Sequence, residues 1–543
     1  MSGEACEWST SPAYYHAAGP RVEGVFRRVS DMCTYDPSGS PLKSDPVFRR
    51  RPLAGKANST YRAGELSFHL PPDLGALYAV SPLAYYLGAP VVMDDEAYVD
   101  AGDWIAIPDI PELEAWAGET LRRTFYLDCA VRCAAVSGGV LNGLDAGELL
   151  GLPANEVFRM GPGERFRLYS SIPVIPGLPR WHMAAYLDPI PESVEALPFL
   201  MRSLAAIYTP RATPVGEREV VSMSIREFLG KPEEPVKTGL AGRSIVLPSL
   251  REAGSQIWFS DGFPVDASKM SLSAASRIRP GRKNKSASIG IICNEEAMSG
   301  EVDAIVGALE DTPASVEILW DTVVGGFLNA FARGFDIVQV IGHCDEKGFK
   351  CRDGFASVND IRENRTPMFF FNSCASYREA AMLVDRGSSC GVATLFRVLE
   401  EAAVDVCRDF YRMLGAGYTA AVALDAAREC SALGKEYLLV GDGSFTCFGG
   451  EPLKPFYRIN RRDGGYSLNC TMGNSDKGHV VSSWSPMGRM MASDMGFETG
   501  LMQEEQLAAI SGKFKGYCRY GHRIYDSVGD AVRMATEDGR RRR

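Results

Sequence analysis

The chain has no Cys-x-x-Cys pair among its fourteen cysteines, no evenly spaced cysteine framework, and only six histidines. The missing pair removes the paired-knuckle spacing of a structural zinc site, and the scattered cysteines argue against a disulfide scaffold. No basic segment followed by an apolar stretch opens the sequence, so a secretion signal is not expected. No apolar run continues unbroken for the roughly 20 residues that a membrane helix needs. The most apolar stretch, Leu74 to Met93, is interrupted by Gly75, Pro82, Gly88 and Pro90 and reads as buried core. Together these absences predict a cytoplasmic protein with reduced thiols and no membrane contact. Nucleic acid is not an expected partner either: the net charge is -10, the sequence pI about 5.4, and the basic residues lack interleaved aromatics.

What is present is a globular composition, 45% hydrophobic and 23% charged over 543 residues, enough for two to four domains. Residues 1–125 read as a strand-rich N-terminal domain, with short aromatic runs at Tyr78 to Leu87 and Tyr98 to Ile107 broken by Pro and Gly. Residues 126–240 read as a helical region (the pattern begins near Glu112 and returns at Asp145 and Pro191). It closes in a proline-rich linker near 209–240. The stretch 262–287 reads as a solvated basic loop, with Arg277, Arg279, Arg282, Lys283 and Lys285.

Within residues 241–450 the rhythm becomes strand, helix, strand, helix, which predicts an α/β domain built on a mainly parallel sheet with helices on both faces. Expected strands are Ser288 to Cys293, Ser315 to Trp320, Phe335 to Ile341, Met368 to Asn372, Gly391 to Phe396 and Tyr437 to Val440. A small hairpin is expected over Gly348 to Val358, and Gly441 and Gly443 are expected at positive φ. Residues 451–543 form a glycine-rich extension whose fold the sequence does not reveal.

Two of these apolar runs stop at reactive side chains: Phe335-Asp-Ile-Val-Gln-Val-Ile-Gly-His343 and Met368-Phe-Phe-Phe-Asn-Ser-Cys374. As neighbouring parallel strands they would deliver both side chains to one carboxyl edge, where open α/β sheets bind ligands. An imidazole beside a thiol makes a nucleophile and its acid/base partner. A packed cysteine is the ordinary alternative, since cysteine is among the most buried residue types. Cys351, Cys390, Cys407, Cys430 and Cys447 read as core for that reason.

Residues 288–445, about 30% of the chain, resemble the caspase-like (clan CD) cysteine peptidases, and within them the CHAT group related to caspases and separase. The likeness rests on the runs into His343 and into Asn372-Ser-Cys-Ala-Ser376, followed by Gly391-Val-Ala-Thr-Leu395, Asp409-Phe-Tyr-Arg-Met-Leu-Gly-Ala-Gly417, Ala423-Leu-Asp-Ala-Ala-Arg428 and Tyr437-Leu-Leu-Val-Gly-Asp442. The variant Gly342-His-Cys-Asp345 looks closest to uncharacterised CHAT-like proteins of halophilic archaea. The resemblance implies a cysteine endopeptidase in which Cys374 attacks the scissile carbonyl and His343 protonates the departing amine. It implies that the backbone N–H groups of Cys374 and Cys344 hold the oxyanion. The family places a glycine after the histidine, and Cys344 departs from that. A basic residue before the cut, favoured in many relatives, would need a carboxylate in the pocket, with Asp345, Asp353 and Asp385 as candidates and Glu400 behind them. No cofactor is implied. A protein or peptide substrate is, with a regulatory protein partner acting through the N-terminal half.

Two other readings remain open. The domain can be a non-catalytic caspase-like scaffold that binds a protein partner. His343, Cys344 and Cys351, three possible metal ligands within nine residues, can hold zinc with a fourth ligand from elsewhere.

Overall fold

A computed structural model describes residues 19–34, 66–109, 112–141, 144–176, 178–231, 244–275, 277, 286–397, 400–449, 453–474, 481–485, 488–492 and 497–542. Contacts divide the chain into two units, Met1–Arg211 with Ser249–Ala253 and Gly478–Ser493, and Ala212–Pro248 with Gly254–Lys477 and Asp494–Arg543. Most of the basic stretch, including Arg279, Arg282, Lys283 and Lys285, lies outside the described residues.

The first unit contains a four-stranded sheet in the order Val91–Met93, Ser67–Leu70, Tyr98–Asp100, Trp104–Ala106. The run Tyr78 to Leu87, expected among the strands, is part of a helix, Leu74–Leu87. Asp73 caps its start by accepting from the Ala76 N–H at 2.8 Å, and Gly88 closes it in the left-handed region. Apolar residues on every side erase the helical period that would have marked it, because almost the whole helix is buried. Pro82 removes one helical donor, and the Ser81 hydroxyl donates instead to the Tyr78 carbonyl at 2.8 Å. A 26-residue helix, Glu112–Ser137, packs against it. The expected boundary at 125/126 falls inside that helix, so the two N-terminal stretches belong to one unit.

The second unit begins where a linker was expected. Its first described elements are the strand Ala212–Pro214 and the helix Glu217–Phe228. The latter has an amphipathic pattern that proline counting overlooked. The rest of the expected linker, 232–243, lies outside the described residues.

The body of this unit is a sheet of β1 (Ala253–Trp258), β2 (Ser268–Lys269), β3 (Ala287–Cys293), β4 (Ala314–Trp320), β5 (Ile337–Ile341), β6 (Met368–Asn372), β7 (Cys390–Thr394) and β8 (Tyr437–Gly441). Their spatial order is β4-β3-β5-β6-β7-β8-β2-β1, and every neighbouring pair is parallel except β7 with β8. Helices α1 (Ser299–Leu309), α2 (Val324–Ala330), α3 (Tyr377–Asp385), α4 (Glu400–Gly415) and α5 (Ala420–Glu429) alternate with the strands. The strand-helix alternation predicted this mainly parallel α/β architecture.

Strand side chains divide by parity. Ile289, Ile291, Ile337, Ile341, Met368 and Phe370 pack with Val302, Ile305, Phe410 and Leu424 of α1, α4 and α5. Ile292, Val338, Val340, Phe369 and Phe371 pack on the other face with Phe327, Ala380 and Leu383 of α2 and α3. Both faces are dry, so these strands read as continuous apolar runs rather than alternating ones. Gly441 has φ +88°, as expected. Gly443 is not in the left-handed region; a Cβ there would meet Leu439 Cδ2 at 2.6 Å, so close packing selects glycine. The extension beyond 450 forms its own sheet, led by the antiparallel pair Leu453–Arg462 and Gly465–Asn474, with helices Glu504–Ser511 and Val528–Arg542.

Glu436, at the foot of β8, is buried, and burial followed by the nearby Glu217 pushes its carboxyl up to about 7. The unfolded chain releases this proton at lower pH than the folded one, so the group favours folding at acid pH. That contribution is lost as pH rises through the ordinary carboxylate range to about 7. Thermal melts of Glu436→Gln should therefore gain on wild type at pH 8 and lose the gain at pH 4; a gap independent of pH would contradict this.

Candidate active site

Strand register builds the site. Across β3, β5 and β6, Cys293 pairs with Ile341 and Ile341 with Asn372, forming one transverse row at the carboxyl edge. Two residues beyond this row lie Glu295, His343 and Cys374, one from each strand. All three line a single cleft of about 390 Å³, together with Met298 and Arg397. The two residues taken from the sequence are thus brought together, and Glu295 joins them.

His343 is half-exposed, and its Nε2 lies 3.3 Å from Glu295 Oε2. That contact leaves Nδ1 as the ring's other hydrogen-bonding atom. Gly342, at φ +151°, lets the chain leave β5 into the hairpin, and the His343 carbonyl accepts from the Lys350 N–H at 2.9 Å. Asn294 braces the neighbouring loop. Its amide donates to the Lys350 carbonyl at 2.9 Å, and its side-chain oxygen accepts from the Thr322 N–H at 2.9 Å.

Cys374 is partly exposed at the end of β6. The next residue, Ala375, has φ +52°, a left-handed conformation costly for a residue with a Cβ. Several bonds hold it there. The Ala375 N–H donates to the Phe396 carbonyl at 3.2 Å, the Ser376 hydroxyl to the Phe371 carbonyl at 3.1 Å, and the Thr394 hydroxyl to the Ser373 carbonyl at 2.6 Å.

Cys344 turns its side chain into the α2/α3 core, where burial, then Glu379, Asp345 and Cys374, push its thiol up to about 12. Its side chain is therefore packed away. The bond from Lys350 N–H to the His343 carbonyl flanks the Cys344–Phe349 pair, so the hairpin ladder does not use the Cys344 N–H.

The expected specificity acids are not gathered in the cleft. Asp345 accepts from the Lys347 N–H at 2.7 Å, and Asp353 from the Val324 N–H at 2.7 Å. Asp385 accepts from the Ser271 and Ser273 hydroxyls at 2.6 and 2.7 Å. Each holds local structure, as short acidic side chains near turns and helix starts commonly do. The Glu400 side chain lies outside the described residues. Among the described residues no three His, Cys, Asp or Glu side chains are grouped to hold a metal ion, and Cys351 is buried beside Asn294.

Sequence reasoning missed Glu295 and Arg397. Glu295 was accessible by the rule that found the other two, since it follows the apolar strand Ala287–Cys293 by two residues. Arg397 follows β7 and had no such marker.

No protein-family model matches the chain, and no curated protein matches it. Solved structures that it is similar to include the separase–securin complex of Saccharomyces cerevisiae, at 8% identity and TM-score 0.27, covering 36% of this chain and 16% of that one. The chain thus spans a minor part of that protein. Others are the Arg-specific cysteine proteinase gingipain R, at 11% identity and TM-score 0.34, covering 60% and 92%, and the complex of pro- and mature domains of RgpB from Porphyromonas gingivalis, at 10% and 0.33, covering 59% and 93%. Among the described residues no helix is long and apolar enough to cross a membrane.

Of the thirteen cysteines described, eleven are buried, leaving Cys374 and Cys430 partly exposed. Burial, then Asp409, pushes the Cys430 thiol up to about 12, which keeps it protonated and unreactive near neutrality. Brief iodoacetamide treatment of the folded protein, read by peptide mass, should label Cys374 before any of the other twelve. Equal labelling of Cys430 would contradict this geometry.

Proposed function

We propose that the chain is a cysteine endopeptidase of caspase-like, CHAT type, acting through Cys374 and His343. The observation that carries this reading is the shared register: thiol and imidazole stand two residues beyond a paired row on adjacent parallel strands and line one cleft. His343 takes the proton of the Cys374 thiol as Sγ attacks the scissile carbonyl, and the resulting oxyanion is held by the backbone N–H groups of Cys374 and Cys344. His343 gives a proton to the departing amine as the C–N bond breaks, leaving a thioester. Water, deprotonated by the imidazole, then cleaves the thioester and returns the thiol. Glu295 acts as a positioning residue, fixing the ring through Nε2 so that Nδ1 is presented to the reaction.

Among the described residues, none of those lining this cleft belongs to the N-terminal unit. We assign it the regulatory or targeting role, with a protein partner. Peptide-bond cleavage, with protein as substrate, remains the work of the second unit.

Wild type and variants incubated with a host proteome, followed by sequencing of new termini, test the assignment. Cys374→Ala and His343→Ala should each abolish cleavage while the melting temperature stays unchanged. Glu295→Gln should reduce kcat by about 10- to 100-fold, because the imidazole loses the contact that orients its ring. Cleavage that survives Cys374→Ala would remove the peptidase reading and favour the non-catalytic scaffold.

A further inference from the structure

Arg397 is the only cationic side chain among the described residues lining the cleft. It is exposed, and it makes no ion pair or hydrogen bond among the described residues. Glu295, the cleft's carboxylate, is held against His343, and Asp345, Asp353 and Asp385 are occupied elsewhere. The Phe396 carbonyl accepts from the Ala375 N–H, which ties the residue before Arg397 to the residue after Cys374. The chain at Arg397 is thereby held near the chain at Cys374, and both residues line the one cleft.

From this we infer that Arg397 is a specificity-determining residue that selects an acidic side chain, aspartate or glutamate, on the residue whose carbonyl Cys374 attacks. The inference rests on the peptidase reading and deepens it. A guanidinium presents planar, forked donors that match a carboxylate with two parallel hydrogen bonds, and Arg397 has no carboxylate among the described residues to give up in binding it. A basic side chain in the same place would meet like charge in a cleft of reduced dielectric, which disfavours it. The expectation of a basic residue before the cut is thus reversed by the charge that lines the site.

The test uses the full chain and two readouts. In the first, termini produced from a proteome by wild type, and absent with Cys374→Ala, are aligned at the cut. Asp or Glu should dominate the position before it. In the second, Cys374 is alkylated by peptidyl chloromethyl ketones identical except for Asp, Leu or Lys next to the warhead, and the rate is followed by intact mass. The Asp probe should react at least tenfold faster than the Leu probe, and the Lys probe slowest. Arg397→Ala should level the Asp and Leu rates, and Arg397→Glu should put the Lys probe first, both with unchanged melting temperature. Cuts that depend on Cys374 but follow basic or apolar residues would overturn the inference and leave the peptidase reading intact. If no cuts depend on Cys374, the peptidase reading falls. The alkylation rates then decide the inference: equal Asp and Leu rates in wild type overturn it.

Discussion

Parallel register is the constraint from which the candidate site follows. In a parallel pair the hydrogen bonds advance evenly, so once Cys293, Ile341 and Asn372 are set in one row, residues at equal offsets beyond them stay neighbours. Glu295, His343 and Cys374 share an offset of two. A slip of one residue in any of the three strands would turn that strand's side chains to the opposite face and dissolve the arrangement. What prevents a slip is the burial of both faces: Phe369 and Phe371 fit only the α2/α3 side, and Met368 and Phe370 only the α1/α4/α5 side. Packing deep in the sheet therefore fixes the geometry of side chains that emerge at its rim.

A polar cluster behind the site adds to this. Asn372, the last residue of β6, donates to Glu301 of α1 at 2.7 Å and accepts from the Tyr437 hydroxyl at 3.2 Å. Gln339 of β5 accepts from the Tyr411 hydroxyl at 2.9 Å. All five residues are buried, and buried polar groups are tolerated only when satisfied, so these bonds admit very few alternative arrangements. Strand β5, strand β6, helix α1 and helix α4 are locked to one another one turn of chain before the reactive residues. The strained Ala375 persists because its surroundings are this rigid, and the strain aims the preceding thiol into the cleft.

Much of the second unit was legible because its strands are continuous apolar runs of strand length separated by helical spacing. Met368–Asn372 stands where the pattern placed it. The pairing of His343 with Cys374 was legible for the same reason, since each run announces its own end. Glu295 was hidden only because a glutamate after a strand is ordinarily a solvated surface acid. The N-terminal unit was harder. Leu74–Leu87 is apolar all round and contains a proline, so neither period nor breaker rules described it, and only Asp73 and Gly88 marked its ends. The specificity acids failed for a different reason. Asp345, Asp353 and Asp385 were chosen by charge, but each bonds a neighbouring backbone N–H or hydroxyl that the sequence does not display.

Charge also organises the far side of this unit. Asp266 stands at φ +63° between Arg428 of α5 and Lys435; burial alone would raise its carboxyl, but the two cations hold it below the ordinary range. Lys435 reaches Glu227 of the helix Glu217–Phe228 as well, and Glu429 of α5 is gripped by Arg458 and Arg519 of the C-terminal sheet. Glu227 is exposed and Asp266 and Glu429 are only partly buried, so each pair adds little net stability, between solvent screening and desolvation. The network therefore acts on choice of arrangement more than on depth of the energy well. It ties the 217–228 helix, through Lys435 and Asp266, and the extension, through Arg458 and Arg519, to α5, and α5 is a wall of the core on which β5 and β6 rest. By that route the extension, none of whose described residues lines the cleft, helps hold the register on which the cleft depends.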